Sequence, residues 1–255
     1  MLEEIAINIC FNHSESVIEF GSFFGRSTAC ICIGLLKNNS FKHEGNFFYT
    51  YDSFKSDING GFLKHVLSYA KSNKLEHLLD YNGSKVDFYK IFYHFCKSYI
   101  DSGILIPEQV SLSNSFSKPG SIKLIHIDSP KFYKDFKIIL FRFFPKLKLG
   151  SFVIFQDFFY HWSASLIAVC GYMISEGFLS IERTAASSLL CKVQKEFNLH
   201  DILKIDLKME KDQSVSCLID SAIDEVNKIN MDRKEVFYPR LTMAKFQWLF
   251  ENKEF

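Results

Sequence analysis

The chain reads as an α/β protein with a doubly wound, mostly parallel sheet, an antiparallel edge strand and a helical C-terminal segment. Three observations predict this. From residue 16 to about residue 177, short apolar runs of strand type alternate with longer segments of helical pattern, the order that builds a parallel sheet with crossover helices. The first run, Val17-Ile18-Glu19-Phe20, meets a turn bounded by Gly21 and Gly25 that opens straight into a helical stretch. In a doubly wound sheet that first strand–turn–helix is where a nucleotide-like ligand sits. Third, most of the strand-type runs end in an acid: Asp52, Asp128 and Asp157 close later runs, and Glu19 lies just before the first turn.

The elements follow in order. Residues 1–15 form a short helix and a polar turn, Asn12-His13-Ser14. After the first strand, Arg26-Ser27-Thr28 opens a helix that runs through Leu36. A polar gap, Lys37–Asn46, leads to a second strand, Phe47–Tyr51, ending at Asp52-Ser53-Phe54. Helices are expected over Phe62–Leu79 and Lys85–Ile100, the second rich in aromatic residues. Val110–Ser113 reads as a third strand and Ile122–Ile127 as a fourth, ending at Asp128. The helix Phe132–Phe144 is stopped by Pro145. A turn at Lys148-Leu149-Gly150 introduces a fifth strand, Phe152–Phe155, ending at Gln156-Asp157. A helix over Trp162–Glu176 is closed by Gly177, and Leu179–Arg183 with Ser188–Val193 supplies the antiparallel edge. Residues 195–255 are more charged, with helical segments at Asp201–Lys208 and Val215–Ile229. The domain reading is residues 1–194 as the ligand-binding domain, and residues 195–255 as a helical extension packed on it or on a partner subunit.

Composition narrows the function. The 255 residues are 47% hydrophobic with a formal net charge of +1. That is enough chain for one sizeable core, and the near-neutral balance gives no electrostatic reason to expect nucleic acid or an anionic membrane as partner. The longest apolar stretch, Ser151–Ile174, is broken by Gln156, Asp157 and His161, so it reads as a buried strand and helix rather than a membrane span. The seven cysteines are odd in number and lie mostly inside apolar runs. They read as free thiols in a reducing, cytoplasmic compartment. The acidic N-terminus, Met1-Leu2-Glu3-Glu4, lacks a signal-peptide pattern.

The glycine turn is not a dinucleotide fingerprint, because the spacing is wrong for Gly-x-Gly-x-x-Gly, and no Gly-Lys-Ser/Thr phosphate loop is present. Glu19 before Gly21 repels a pyrophosphate but accepts from an ammonium or from water near a cationic ligand, which suits S-adenosylmethionine. Asp52 after the second strand is placed to accept both hydroxyls of a ribose. Each strand-end acid alone has a second reading as a helix cap. Asp128 and Asp157 end strands expected to be neighbours, where two facing carboxylates repel unless they share a proton or a cation. With the side-chain oxygen of Gln156 they would suit an oxygen-liganded ion such as magnesium. Lys131, one turn beyond Asp128, is a candidate base or a solvated surface lysine. His161 and Trp162 follow the fifth strand and could line an acceptor pocket, whereas His126 lies inside a strand and reads as a core residue.

Four stretches carry a family resemblance: V-I-E-F-G-S-F-F-G-R-S-T, Y-T-Y-D-S-F-K, I-H-I-D-S-P-K-F-Y-K-D-F and P-K-L-K-L-G-S-F-V-I-F-Q-D-F, in order over about residues 16–193. In these the chain resembles class I S-adenosylmethionine-dependent methyltransferases with a Rossmann-like sheet, nearest to the macrocin and sugar O-methyltransferase type. The resemblance implies that the first turn, with Glu19, Gly21, Ser22, Gly25, Ser27 and Thr28, holds the methionine part of the cofactor. It implies Asp52 and Ser53 at the ribose, and Asn114 and Ser115 by the adenine, with Asp128 reaching the cofactor as well. It further implies a divalent metal on Asp128, Gln156 and Asp157, and catalysis by Asp128, Lys131, Asp157 and His161. Lys131 matches in position the base of catechol-type O-methyltransferases. The chain departs from the pattern at Gln156-Asp157, where two acids or His-Asp are usual, at Ser129-Pro130, and at Ser151, where a second glycine is usual. The function so implied is O-methyl transfer to a hydroxyl of a sugar or other small molecule, by a chain that could also form a homo-oligomer. The alternative is a module of the same fold that binds cofactor and has lost catalysis.

Overall fold

The chain opens with α1 (Leu2–Asn8), β1 (Glu15–Phe20), α2 (Arg26–Lys37) and β2 (Phe47–Asp52). An excursion follows: β3 (Lys55–Asp57), α3 (Leu63–Ser72), β4 (Asp80–Asn82), β5 (Lys85–Asp87) and α4 (Tyr89–Asp101), before the main sheet resumes at β6 (Leu105–Gln109). Then come β7 (Ser121–Ile127), α5 (Tyr133–Arg142), β8 (Leu147–Phe155), α6 (Ala164–Ser175), β9 (Leu179–Ala185) and β10 (Ser188–Val193). The chain closes with α7 (Leu199–Met209), α8 (Asp212–Lys228) and α9 (Lys234–Glu251). The computed structural model describes residues 1–118, 120–210, 212–229 and 234–251.

Seven strands form one sheet in the order β6-β2-β1-β7-β8-β10-β9. The pairs β1/β2, β2/β6 and β7/β8 are parallel, and β10 runs antiparallel to both β8 and β9. The expected mostly parallel α/β sheet with an antiparallel edge is therefore the fold. By packing, the chain divides into two compact units, Met1–Ser115 and Phe116–Phe255.

In the first unit every residue of β1 is buried, as expected for a strand covered on both faces. Phe20, Phe48, Phe54, Phe88 and Phe92 fill the core. Three local expectations change. The third strand is Leu105–Gln109 rather than Val110–Ser113. Pro107 interrupts the apolar pattern there, but β6 lies at the end of the sheet order, where a residue without an N–H is tolerated. The helix expected over Lys85–Ile100 begins only at Tyr89, because Lys85–Asp87 pairs with β3 and β4 in a small antiparallel sheet. Asp87 Oδ1 then accepts from the Tyr89 N–H at 2.9 Å and starts α4. The helix expected over Phe62–Leu79 ends at Ser72, where Lys74 is left-handed (φ 59°) and the Leu75 N–H returns to Ala70 O at 2.8 Å.

In the second unit α6 is buried from Ala164 through Met173, so the longest apolar stretch of the sequence is a strand and a core helix. Among the described residues no helix is long and apolar enough to cross a membrane. Gly171 on α6 explains how α8 comes so close: a Cβ there would lie 2.4 Å from the Leu218 carbonyl oxygen. Ser151 has a structural role of its own. Its hydroxyl donates to Ile122 O at 2.7 Å and accepts from the Lys148 N–H at 3.0 Å, bracing the point where the β7/β8 register shifts.

Candidate active site

In the first unit the register of β1 on β2 sets Glu19 opposite Thr50. The Glu19 carboxylate is fully buried, and its Oε2 accepts from the Thr28 hydroxyl at 2.5 Å and the Thr50 hydroxyl at 3.0 Å. Thr50 also bonds the Ser22 hydroxyl. A buried carboxylate needs such partners, and together they tie strand, turn and helix. This corrects the expectation for Glu19: its carboxylate offers no surface to a ligand and instead braces the floor of the turn. Ser22 and Thr28 are buried in the same network.

Above that floor the backbone takes unusual conformations. Gly21 and Gly25 have φ values of 86° and 88°, and Phe23 between them is left-handed at 48°. Gly25 is required by space as well as by conformation. A Cβ there would lie 2.5 Å from Cys96 Sγ and 3.2 Å from the Phe92 ring. Gly25 also heads α2 with no side-chain cap, so the first N–H groups of that helix face outward for an anionic group. Asp52 ends β2 and binds the turn: its Oδ2 accepts from the Phe23 N–H at 3.0 Å and its Oδ1 from the Phe54 N–H at 2.7 Å. Burial pushes this carboxyl above the ordinary aspartate range, while those two N–H bonds pull it back down. Each oxygen keeps a second lone pair for a ligand hydroxyl. Gly21, Ser27, Asp52 and Ser53 remain half-buried, with surface left for contact.

Asn114 and Ser115 lie farther along than expected, because the strand before them ends at Gln109 and a short helical turn, Leu112–Asn114, intervenes. Asn114 is exposed, whereas Ser115 is buried with its hydroxyl donated to Leu112 O at 2.7 Å. Ser115 caps that turn, leaving Asn114 as the residue with free surface.

In the second unit Ile127 pairs with Phe155, so Asp128 and Gln156 leave neighbouring strand ends, and the Gln156 N–H donates to Ile127 O at 2.9 Å. Lys131 lies between the acids. Its Nζ donates to Asp128 Oδ1 at 3.1 Å and to Asp157 Oδ2 at 2.9 Å. Asp157 is left-handed (φ 57°), a conformation aspartate tolerates, and its Oδ1 accepts from the Ser187 hydroxyl at 3.1 Å. The Gln156 side-chain oxygen accepts from the Ser188 hydroxyl at 2.6 Å, while its amide nitrogen faces Asp157 Oδ1 and Ser187 Oγ, each at 3.4 Å. Asp128 keeps Oδ2 free of protein partners among the described residues.

This arrangement corrects the expected metal set of Asp128, Gln156 and Asp157. The two carboxylates are already bridged by a cation, the Lys131 ammonium, and the Gln156 oxygen is turned to Ser188. The donors do not fit a divalent ion, which needs several oxygens converging at one point. Among the described residues no group of three or more His, Cys, Asp or Glu side chains is placed to hold one.

Ser187 and Ser188 escaped the sequence reading. They arrive on the two-residue turn between β9 and β10, where Leu189 pairs with Phe155. The signal was the antiparallel edge itself, since a strand returning along β8 begins where β8 ends. His161 is half-buried, its ring edge-on to Trp162 at 4.8 Å.

No family model matches this chain, and no curated protein matches it. Among solved structures the chain is similar to the O-methyltransferase NovP, at 15% sequence identity and a TM-score of 0.51, over 76% of each chain. It is also similar to CalS11, a TDP-rhamnose 3'-O-methyltransferase in calicheamicin biosynthesis, at 15% identity and a TM-score of 0.45, over 75% of each chain. The SAH-bound methyltransferase PaMTH1 of Podospora anserina matches at 10% identity and a TM-score of 0.43, over 71% of this chain and 72% of that one. At these identities the likeness to NovP speaks for architecture: the chain has a Rossmann-like fold of the kind on which that O-methyltransferase is built.

Proposed function

We propose that the chain is an S-adenosylmethionine-dependent O-methyltransferase acting on a hydroxyl of a small molecule, and that it works without a divalent metal. The observation that carries the reading is the Gly21–Gly25 turn, locked to Asp52 through the Phe23 N–H at 3.0 Å and heading a helix whose N-terminus no side chain caps. The methionine carboxylate suits that helix end. The ribose hydroxyls suit Asp52, with Ser53 beside it, and Ser27 suits the amino acid moiety. The adenine would meet Asn114.

In the second unit the acceptor hydroxyl would donate to the free Asp128 Oδ2. Its oxygen attacks the sulfonium methyl carbon, the new C–O bond forming as the C–S bond breaks. The proton passes to Asp128, and S-adenosylhomocysteine leaves as a neutral thioether. Lys131, held by Asp157 and Asp128, offers its ammonium to the oxygen as negative charge develops there. Asp157 positions Lys131, and Ser187 positions Asp157. Catalysis is then mainly placement plus electrostatics. The free cysteines, exposed Cys10 and Cys217 included, support a reducing compartment such as the cytoplasm.

Calorimetric titration with S-adenosylhomocysteine tests the cofactor half. The parent is expected to bind one equivalent, and Asp52→Ala to bind about 1–3 kcal/mol more weakly through lost charge-assisted hydrogen bonds. Equal affinity in the two proteins would place the cofactor elsewhere.

A further inference from the structure

The turn after β8 holds an aromatic stack that the chemistry above does not use. The Asp157 carbonyl oxygen accepts from the Tyr160 N–H at 3.1 Å and the Ser163 hydroxyl at 2.9 Å, so the turn is anchored on a residue of the acid–lysine cluster. The Tyr160 and Trp162 rings stack at 4.3 Å with planes only 9° apart. The Arg240 guanidinium lies 4.9 Å from the Tyr160 centroid and 6.0 Å from that of Phe237. Arg240 comes from α9, which docks by stacking Phe237 on Phe159 at 4.6 Å.

Two features call for a ligand. Trp162 is 43% exposed although its ring is held rigid by Tyr160. An exposed indole fixed in orientation is a stacking platform for the apolar face of a sugar ring. Arg240, among the described residues, makes ring contacts only and meets no carboxylate. A half-buried guanidinium without an anion is suited to bidentate recognition of one.

We infer that Trp162 on its Tyr160 support, with Arg240 of α9, forms an acceptor subsite for a saccharide bearing an anionic group. The inference rests on the methyltransferase reading for the identity of the bound molecule as acceptor. It gives the C-terminal helix a role in recognition, with Trp162 taking the ring and Arg240 the charge.

Trp162 and Trp248 are the two tryptophans, so a Trp248→Phe background makes Trp162 the sole reporter. Its fluorescence would be titrated, with S-adenosylhomocysteine present, with methyl glucoside, glucose 1-phosphate and glucuronate. The anionic sugars are expected to quench Trp162 with affinities about tenfold or more above that of the neutral glucoside. The tighter of the two tells phosphate from carboxylate. Arg240→Gln should bring that ratio to about one, and Arg240→Lys should restore part of it. In the unsubstituted protein, glucose 1-phosphate binding should weaken with added salt while glucoside binding does not, a readout that needs no variant to fold. Equal affinities for all three sugars, no quenching by any, or an Arg240→Gln protein that keeps the preference would overturn the inference. If S-adenosylhomocysteine binds and the sugars do not, this subsite alone is rejected; if the cofactor product does not bind, the methyltransferase reading falls.

Discussion

Lys131→Met is expected to lower methyl transfer by about a hundredfold or more and, at the same time, to create a divalent-cation site that the parent lacks. In the parent the ammonium sits 3.1 Å from Asp128 Oδ1 and 2.9 Å from Asp157 Oδ2. Methionine has similar length and no charge, so the variant leaves two facing carboxylates without a counter-ion, and these repel. A magnesium ion then becomes the best available neutraliser, with an affinity of about millimolar for so sparse a ligand set. Calorimetry with magnesium should give no binding heat for the parent and a measurable isotherm for the variant. Cofactor affinity should stay close to the parent's, because Lys131 belongs to the second unit and the glycine turn to the first. Magnesium binding by the parent itself would mean that the lysine yields its place, and the acceptor chemistry above would have to be rewritten.

Gly25→Val is expected to remove cofactor binding and to cost about 2–5 kcal/mol of stability, from left-handed backbone strain plus overpacking. The residue has φ 88°, which a β-branched side chain resists. Its new carbons would press on Cys96 Sγ, 2.5 Å from the ideal Cβ position, and on Phe92 behind it. Neither side chain has room to withdraw, since both are fully buried in α4. Urea denaturation measures the loss, and Gly25→Ala should show a smaller one. A valine variant as stable as the parent would mean that the turn opens freely and is not the preorganised cradle described here.

The parts legible in the sequence were those written locally. Val17–Phe20, the two glycines and the helix start at Arg26 follow one another along the chain, so strand, turn and helix could be read from spacing alone. Asp52 and Asp128 were legible because each ends an apolar run. What the sequence withheld was pairing. Glu19 seemed to face a ligand because it precedes the turn; only the register of β1 on β2 sets it against Thr50 and turns it into the core. Lys131 read as a base or a solvated lysine because Asp157, 26 positions away, had to be brought within 2.9 Å before the lysine became a counter-ion. Ser187 reached Asp157 through the antiparallel edge. Arg240 reached Tyr160 from a helix that the charged pattern of the C-terminal segment did not delimit. Pro107 misled in the opposite sense, since a local strand-breaker is harmless at the end of a sheet.

The account's central claim is methyl transfer from S-adenosylmethionine without a metal. The direct measurement is the transfer of label from methyl-tritiated S-adenosylmethionine to a panel of anionic and neutral saccharides, run with excess chelator and again with added magnesium. The account predicts labelled product at the same rate in both conditions, abolished by Asp128→Ala. Transfer that stops with chelator and returns with magnesium, or no transfer to any saccharide by a protein that binds the cofactor, would contradict it.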